Sequence, residues 1–139
     1  MAAVKLSPLC ETVRDPLTTY YDTHAPIPRI YNLEALRMAK RLYLLRRRRE
    51  GFFAAGLFSD PAWDMLLDLF VSGGERRRLS VSAVCIGSGC ASATALRYVG
   101  LLEGGGWISR SPDETDRRRD YIELTDAGWA GMSELIATL

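Results

Sequence analysis

The sequence has few of the residues that metal sites and disulfide frameworks require. Three Cys and one His occur in 139 residues. Cys10, Cys85 and Cys90 form no Cys-x-x-Cys pattern, and His24 has no partners at metal-ligand spacing. We therefore expect no metal, no cofactor and no disulfide framework. The low cysteine content favours a reducing, cytoplasmic location.

Long apolar runs are absent too. No segment approaches the roughly 18 apolar residues of a membrane-spanning helix, and no charged start leads into an apolar leader, so we expect no membrane association. No nucleophile stands out together with a base and an orienting acid. The glycine triplet at residues 104–106 reads as a helix stop and not as a phosphate-binding G-x-G-x-x-G motif. We therefore expect that the protein is not an enzyme.

A net charge of one sign is also missing. The chain has 18 Lys and Arg against 17 Asp and Glu, which excludes a generic polycation. The positive residues are nevertheless segregated: residues 33–50 hold seven Lys and Arg against two Glu, and residues 73–120 hold eight Arg against six acids. A local positive patch can bind a polyanion even when the total charge is near zero, so nucleic acid is compatible with this sequence.

The length suits one domain preceded by an arm. Residues 1–32 contain four Pro with little periodicity, which predicts an extended N-terminal arm. Residues 33–139 are predicted to form the domain, in three parts. These are an N-terminal helix and connector at 33–58, a central core at 59–125 and a C-terminal helix at 126–139.

Capping and stop signals place the helices. The first is capped by Asn32 and ends near Glu50, and the apolar connector after it, Phe52, Phe53, Leu57 and Phe58, is expected to be buried. The others are predicted from Asp60-Pro61 to Gly73-Gly74, from about Val81 to Ser88 behind Ser80, from about Ser92 to Glu103, and after Thr125. The residues expected to face inward are, in the helix after Asp60, Trp63, Leu66, Leu67, Phe70 and Val71, and in the helix after Ser80, Val81, Val84 and Cys85. In the helix from Ser92 they are Ala95, Leu96, Val99 and Leu102, and in the helix after Thr125 they are Trp129, Met132, Leu135, Ile136 and Leu139.

Between the last two helices the periodicity changes to that of strands. Residues 107–110 and 120–124 are strand-like, and the polar segment between them has turn chemistry at Pro112-Asp113. This pattern predicts a β-hairpin with a charged tip. A short helix, a glycine turn, a second helix and a hairpin follow the order of a winged helix-turn-helix, so the expected fold class is mainly α with a small β-hairpin.

This order favours binding to double-stranded DNA. In such a motif the second helix places its N-terminal residues against base edges in the major groove, while the hairpin, or wing, reaches an adjacent groove. Small hydroxyls, a methyl group and Arg suit bases and phosphates, and a narrow minor groove attracts Arg. The candidate DNA-binding residues are Ser92, Ala93, Thr94, Arg97 and Tyr98 on the helix and Arg117, Arg118 and Arg119 on the wing.

Several basic residues and one Cys leave two interpretations open. Arg76, Arg77 and Arg78, with Ser80, either contact phosphates or keep the protein soluble. The run at residues 46–49 points in every direction on a helix, so a favourable interaction with the helix dipole is preferred over phosphate contact. Taken alone, the wing arginines fit a solvated loop of local ion pairs equally well. Cys90 is a packing residue, which we favour, or a redox-sensitive thiol.

Two motifs carry a resemblance to a known family. Leu102-Glu103-Gly104-Gly105-Gly106-Trp107-Ile108 and Asp116-Arg117-Arg118, the latter followed by Ile122-Glu123-Leu124-Thr125 and Gly128, are similar to the helix-to-wing and wing signatures of the MarR-type transcriptional regulators. The likeness covers roughly residues 59–128. It implies that Thr94 and Arg97 lie on the recognition helix, that Asp116 and Arg118 form the Asp-x-Arg pair of the wing, and that Asp116 stabilises the wing. It also implies a homodimer on a palindromic site, which commonly represses transcription until a small effector or an oxidant releases the DNA.

The sequence departs from that family in two places. Ala91 stands where a Ser or Thr cap is usual, which moves the expected cap to Ser92. Only 14 residues follow Thr125, so residues 33–50 are expected to supply much of the dimer interface. The expected function is a dimeric, sequence-specific DNA-binding regulator of repressor type with a small-molecule effector among its partners. The alternative is a winged-helix protein-interaction or assembly module without sequence-specific DNA binding.

Overall fold

The structure is a computed structural model that describes residues 32–54 and 56–139. The predicted N-terminal arm, except for Asn32, therefore lies outside the described residues. In chain order the elements are α1 (Leu33–Arg48), α2 (Pro61–Gly74), β1 (Leu79–Ser80), α3 (Val81–Gly87), α4 (Ser92–Gly104), β2 (Ile108–Pro112), β3 (Asp120–Leu124) and α5 (Asp126–Ala137), with a 3₁₀ turn at Arg49–Gly51 after α1.

Four helices begin where the sequence places a side-chain cap. Asn32, Asp60, Ser80 and Thr125 each accept a hydrogen bond from a backbone N–H two or three residues later, at 3.0 to 3.4 Å. Each bond satisfies one of the N–H groups that the first helical turn leaves without an intrahelical partner. These predicted starts are confirmed.

The three strands form one antiparallel sheet in the order β1-β3-β2. The predicted hairpin is confirmed: Ile108 lies opposite Leu124 and Pro112 opposite Asp120, so β2 begins one residue later than predicted and extends two residues further. β1 pairs with the other edge of β3 through Leu79 and Ile122. This third strand was not predicted, because two residues are too few to show alternation.

The core surrounds α2, which is buried along most of its length. One cluster of buried side chains includes residues from all five helices and all three strands that the structure describes. α1 contributes Ala39 and Tyr43, and Trp129 of α5 lies against Phe70 of α2 with ring centroids 4.6 Å apart. Each terminal helix therefore packs on the helix at the centre of the core.

The prediction of a buried connector after α1 is wrong. Phe52 is 70%, Phe53 63% and Leu57 64% exposed. Phe58 is half-buried and contacts one other connector residue and the 3₁₀ turn after α1. Phe53 and Phe58 meet edge to face at 5.7 Å, and the Arg49 guanidinium lies 4.5 Å from the centre of the Phe58 ring.

The buried stripes of two helices are also narrower than predicted. Leu96 in α4 is 50% exposed, and Leu135 and Leu139 at the C-terminal end are exposed as well. A helix that packs along a single line buries residues three and four apart, and a neighbouring apolar residue then falls beside the stripe. The residues that form the two stripes are Ala95, Val99 and Leu102 in α4 and Trp129, Met132 and Ile136 in α5.

A buried ion cluster joins α1 to α2. Asp64 in the first turn of α2 is 3% exposed. Its carboxylate accepts a hydrogen bond from Arg46 Nε at 2.5 Å and forms an ion pair with Arg47 Nη2 at 2.6 Å. Two of the four arginines at residues 46–49 therefore have a structural role, through a specific partner in addition to the helix dipole.

Candidate nucleic-acid interface

α3 and α4 form a helix-turn-helix pair. Their axes differ in direction by 110°, and helices in such motifs meet at roughly 90–120°. Ser80 caps α3 by accepting from the Ala83 N–H at 3.2 Å, which uses one acceptor position of its hydroxyl. In the turn Gly89 has φ +69°, a left-handed conformation that residues with a Cβ rarely adopt.

The predicted DNA-binding residues of α4 lie on its outward side. Ser92, Ala93, Thr94 and Arg97 are exposed and Tyr98 is half-buried, while the opposite face of α4 packs on the core. The Arg97 guanidinium lies 5.4 Å from the centre of the Tyr98 ring. Small side chains on the first turn and a long cation on the second can approach a groove without displacing core residues.

The predicted shift of the α4 cap to Ser92 is wrong. Ala91 holds the cap position, Ser92 is the first helical residue, and no side chain accepts from the first-turn N–H groups. The backbone bond from Ala95 N to Ala91 O, at 2.9 Å, already fixes the helix start at that residue. The first turn of α4 is thus uncapped by any side chain that the structure describes.

The wing is organised around Asp113, which was not predicted as a functional residue. Asp113 Oδ1 accepts from the backbone N–H and the hydroxyl of Thr115, both at 2.8 Å, and Oδ2 accepts from the Tyr121 hydroxyl at 3.0 Å. The bonds from Thr115, and after them the bond from Tyr121, lower the pKa of Asp113 to about 2. The local signal was a Pro-Asp-x-Thr turn, in which the Asp side chain bonds the backbone two residues later.

The wing arginines divide into two kinds. Arg119 Nη1 lies 4.0 Å from Asp113 Oδ2. Arg119 therefore forms a local ion pair, which is the alternative to DNA contact that the sequence left open. Arg117 and Arg118 are exposed, and neither takes part in an ion pair within residues 32–54 and 56–139. Asp116 Oδ1 accepts from the Arg118 backbone N–H at 3.0 Å, which shapes the turn that carries both exposed arginines.

The base of the wing is fixed to α4 and α5. Arg110 of β2 pairs with Glu103 at the end of α4, Nε to Oε2 at 3.2 Å, and lies 3.8 Å from Asp120. The hydroxyl of Thr125, which caps α5, also donates to Gly106 O at 2.6 Å. The sequence did not reveal the role of Arg110, because strand register decides which acids it meets.

Of the three consecutive arginines before β1, two are engaged within the fold. Arg77 Nε donates to Glu75 Oε2 at 3.0 Å. Arg78 pairs with Glu123 of β3 at 3.2 Å, with its guanidinium 4.1 Å from the centre of the Tyr121 ring. Arg76 is exposed. These intramolecular contacts favour a structural role for Arg77 and Arg78 and leave Arg76 as the candidate phosphate contact.

Cys85 and Cys90 lie near the helix-turn-helix turn. Cys85 is buried, as predicted, and burial raises the pKa of its thiol. Cys90 is half-buried with Sγ 3.1 Å from Ser88 Oγ. Because burial disfavours the thiolate, Cys85 is poorly suited to nucleophilic chemistry.

Two further features of the described residues bear on membranes and metals. In the described part of the chain, no single helix is long and apolar enough to span a bilayer, and only the sharply bent pair α3 and α4 meets the length and composition criteria jointly. Residues 32–54 and 56–139 also contain no group of three His, Cys, Asp or Glu side chains that could hold a metal ion.

A perpendicular helix pair followed by an antiparallel hairpin defines a winged helix-turn-helix protein. No protein-family model matches the sequence. The chain is 31% identical over 110 residues to YwaE, described as an uncharacterized HTH-type transcriptional regulator of Bacillus subtilis (strain 168). The match covers 75% of this chain, which spans only 61% of that relative.

Solved structures give the same fold. S. aureus MepR in its DNA-binding conformation is 18% identical with a TM-score of 0.52, over 77% of this chain and 76% of MepR. A single-residue mutant of S. aureus MepR is 18% identical with a TM-score of 0.50, over 78% and 76%. This chain therefore has the fold of the MarR-type winged helix-turn-helix regulators, among which MepR is counted. The resemblance seen in the sequence is confirmed at the level of the fold.

Proposed function

We propose that this protein is a MarR-type transcriptional regulator that binds double-stranded DNA sequence-specifically as a homodimer. The observation that carries the proposal is the combination of an outward-facing, uncapped start of α4 with a wing that exposes Arg117 and Arg118. Both elements are needed to reach two grooves from one side of a protein. The similarity to YwaE, an HTH-type transcriptional regulator by its description, supports the same class.

The contacts proposed for α4 follow from side-chain chemistry. Ser92 and Thr94 bond phosphates or base edges, Ala93 contacts a thymine methyl group, and Arg97 reads a guanine. Tyr98 supports the Arg97 guanidinium from the side, at the observed 5.4 Å. This half of α4 is assigned to base recognition.

The wing and the chain before β1 are assigned to backbone contacts. Arg117 and Arg118 enter the minor groove or bind its phosphates, while Arg119 and Asp116 maintain the shape of the tip. Arg76 binds a flanking phosphate. These contacts supply affinity that depends little on sequence.

The remaining proposals, on activity, location, effector and dimer interface, rest on the proposed class of MarR-type regulators. The protein is a DNA-binding protein without enzymatic activity, acts in the cytoplasm as a repressor and responds to a small effector. Its dimer interface is formed largely by residues 33–50. Phe52, Phe53 and Leu57 are exposed just beyond α1, and burial in a dimer would remove this apolar surface from water.

Selection of bound duplexes from random DNA tests the proposal directly. We expect a palindromic consensus with half-sites about one helical turn apart, since one recognition helix per protomer reads each half. The affinity for the selected duplex should fall steeply with salt, by a log–log slope of about −0.9 per neutralised phosphate. Absence of salt-dependent binding at low ionic strength would refute the proposal and leave a protein-interaction module as the function.

Two substitutions separate the proposed roles. Arg118→Ala should weaken binding to all duplexes alike and reduce the salt slope by about one. Arg97→Ala should cost about 1–3 kcal/mol and relax the preference at particular base pairs. Arg41→Ala removes an equal charge from an exposed site on α1. Because α1 belongs to the proposed dimer interface, this variant serves as the control when its mass in solution equals that of the unaltered protein. Identical effects of Arg97→Ala and Arg118→Ala on every duplex would contradict the assignment of Arg97 to base recognition and of Arg118 to backbone contact.

A further inference from the structure

The last residue of α3 and the first residue of the turn that follows it (residues 88–91) each accept a hydrogen bond from α1. The Tyr43 hydroxyl donates to Gly87 O at 3.0 Å, and Arg47 Nη2 donates to Ser88 O at 3.1 Å. The first bond is buried and both join residues more than 40 positions apart. Because α1 is not part of the helix-turn-helix pair, these bonds connect the DNA-reading motif to a separate helix.

The turn backbone lies directly against side chains of α1 and α2. A methyl group added to Gly89 would overlap the Arg47 guanidinium, and one added to Gly87 would overlap the Asp68 carboxylate. Two close approaches within three residues indicate that the glycines allow the turn to dock, in addition to the φ that Gly89 requires.

Arg47 is itself held in place. Its Nη2 is 2.6 Å from Asp64 Oδ2, and its guanidinium carbon is 5.5 Å from the centre of the Tyr43 ring. A planar guanidinium can hold a carboxylate and a carbonyl at the same time because its donors diverge in fixed directions, which a lysine ammonium on a flexible stem does not reproduce. The bond to Ser88 O is therefore directionally defined.

The start of α4 directly follows this turn and has no side-chain cap of its own. The internal bond of the turn, from the Ser88 hydroxyl to Cys85 O at 2.6 Å, fixes its shape but not its placement on α1. We propose that Tyr43 and Arg47 are positioning residues that set the orientation of the recognition helix by holding the turn to α1. This inference rests on the proposed function of α4.

The test compares Arg47→Lys and Tyr43→Phe with Arg46→Lys. Arg46 is the matched control because it bonds the same Asp64 carboxylate from the same helix, and no bond from it to the turn is observed. For each full-length variant two quantities are measured: amide hydrogen exchange at residues 88–91, and affinity for the selected duplex and for a scrambled duplex of equal length.

Relative to Arg46→Lys, we expect Arg47→Lys to raise exchange in the turn and to weaken binding to the selected duplex by about tenfold, the scale of one hydrogen bond to a charged group. Tyr43→Phe should show the same pattern more weakly, since its hydroxyl is neutral. Affinity for the scrambled duplex should change equally in all three variants, because nonspecific binding does not require an oriented helix.

Two results would overturn the inference. One is exchange in the turn that is no faster in Arg47→Lys and Tyr43→Phe than in Arg46→Lys. The other is faster exchange with an unchanged ratio of specific to nonspecific affinity. If the unaltered protein binds no duplex at all, the proposed DNA-binding function fails and the recognition-helix part of the inference fails with it, while the exchange comparison still decides whether α1 holds the turn.

Discussion

Replacing Asp64 by Asn is expected to lower the free energy of unfolding by about 3–5 kcal/mol. Asp64 is 3% exposed and faces two guanidinium groups at 2.5 and 2.6 Å. Asn keeps the shape and one acceptor oxygen but removes the charge, so Arg46 and Arg47 stay largely buried without a countercharge. Because a domain of this size is stable by roughly 5–15 kcal/mol, the loss is a large fraction of the total.

Urea unfolding at pH 7, followed by tryptophan fluorescence and circular dichroism, measures this loss. Asp60→Asn is the matched control: Asp60 Oδ2 lies 3.8 Å from Arg46 Nη2 with its side chain 55% exposed, and Asn caps a helix about as well as Asp. The control should change the free energy of unfolding by no more than about 1 kcal/mol. A loss below about 1 kcal/mol for Asp64→Asn, or one equal to that of the control, would refute a stabilising role for the buried cluster.

Two further predictions concern α5 and the wing. Gly128→Ala should destabilise the protein, since the added methyl would overlap the Trp107 carbonyl oxygen, whereas Gly131→Ala meets no atom within 4 Å and should stabilise it by roughly 0.5–1 kcal/mol; equal thermal midpoints for the two variants would contradict this. Asp113→Asn should make the free energy of unfolding decline less steeply as the pH falls. The folded pKa of Asp113, about 2, lies below its ordinary value of 3.8, so the carboxylate stabilises the fold above about pH 4 and loses that effect as the pH falls towards 2. Urea midpoints from pH 5 to pH 2 that decline in parallel for both proteins would exclude this role.

Local signals accounted for most of the helices and for the hairpin. A cap such as Asn32 or Thr125 acts on N–H groups two or three residues away, and the Gly73-Gly74 stop acts within one turn, so neighbouring residues suffice to predict them. The candidate residues of α4 followed from the same reasoning, because a helix with one apolar stripe must expose the others. Their contacts with DNA remain a prediction.

Contacts between distant residues could not be predicted in this way. Asp64 meets Arg46 and Arg47 from 18 and 17 positions away, and nothing in the local sequence distinguishes these arginines from the two that follow. In the sequence, Arg77 and Arg78 were as suitable for phosphate contact as Arg76. Only the structure showed their acidic partners. The exposure of Leu96 and of Phe52 likewise depends on whether a neighbouring element extends far enough to cover the side chain.

The sequence by itself determined the order of the five described helices and the hairpin, the caps of four of these helices and the class of fold, because each of these follows from interactions within a few residues. It also showed that near-neutral charge conceals two basic segments. Only the tertiary structure decided which arginines in those segments form ion pairs with Asp or Glu of the same fold and which remain exposed. It alone joined α1 to the turn before α4, since packing brings together groups whose separation along the chain carries no signal.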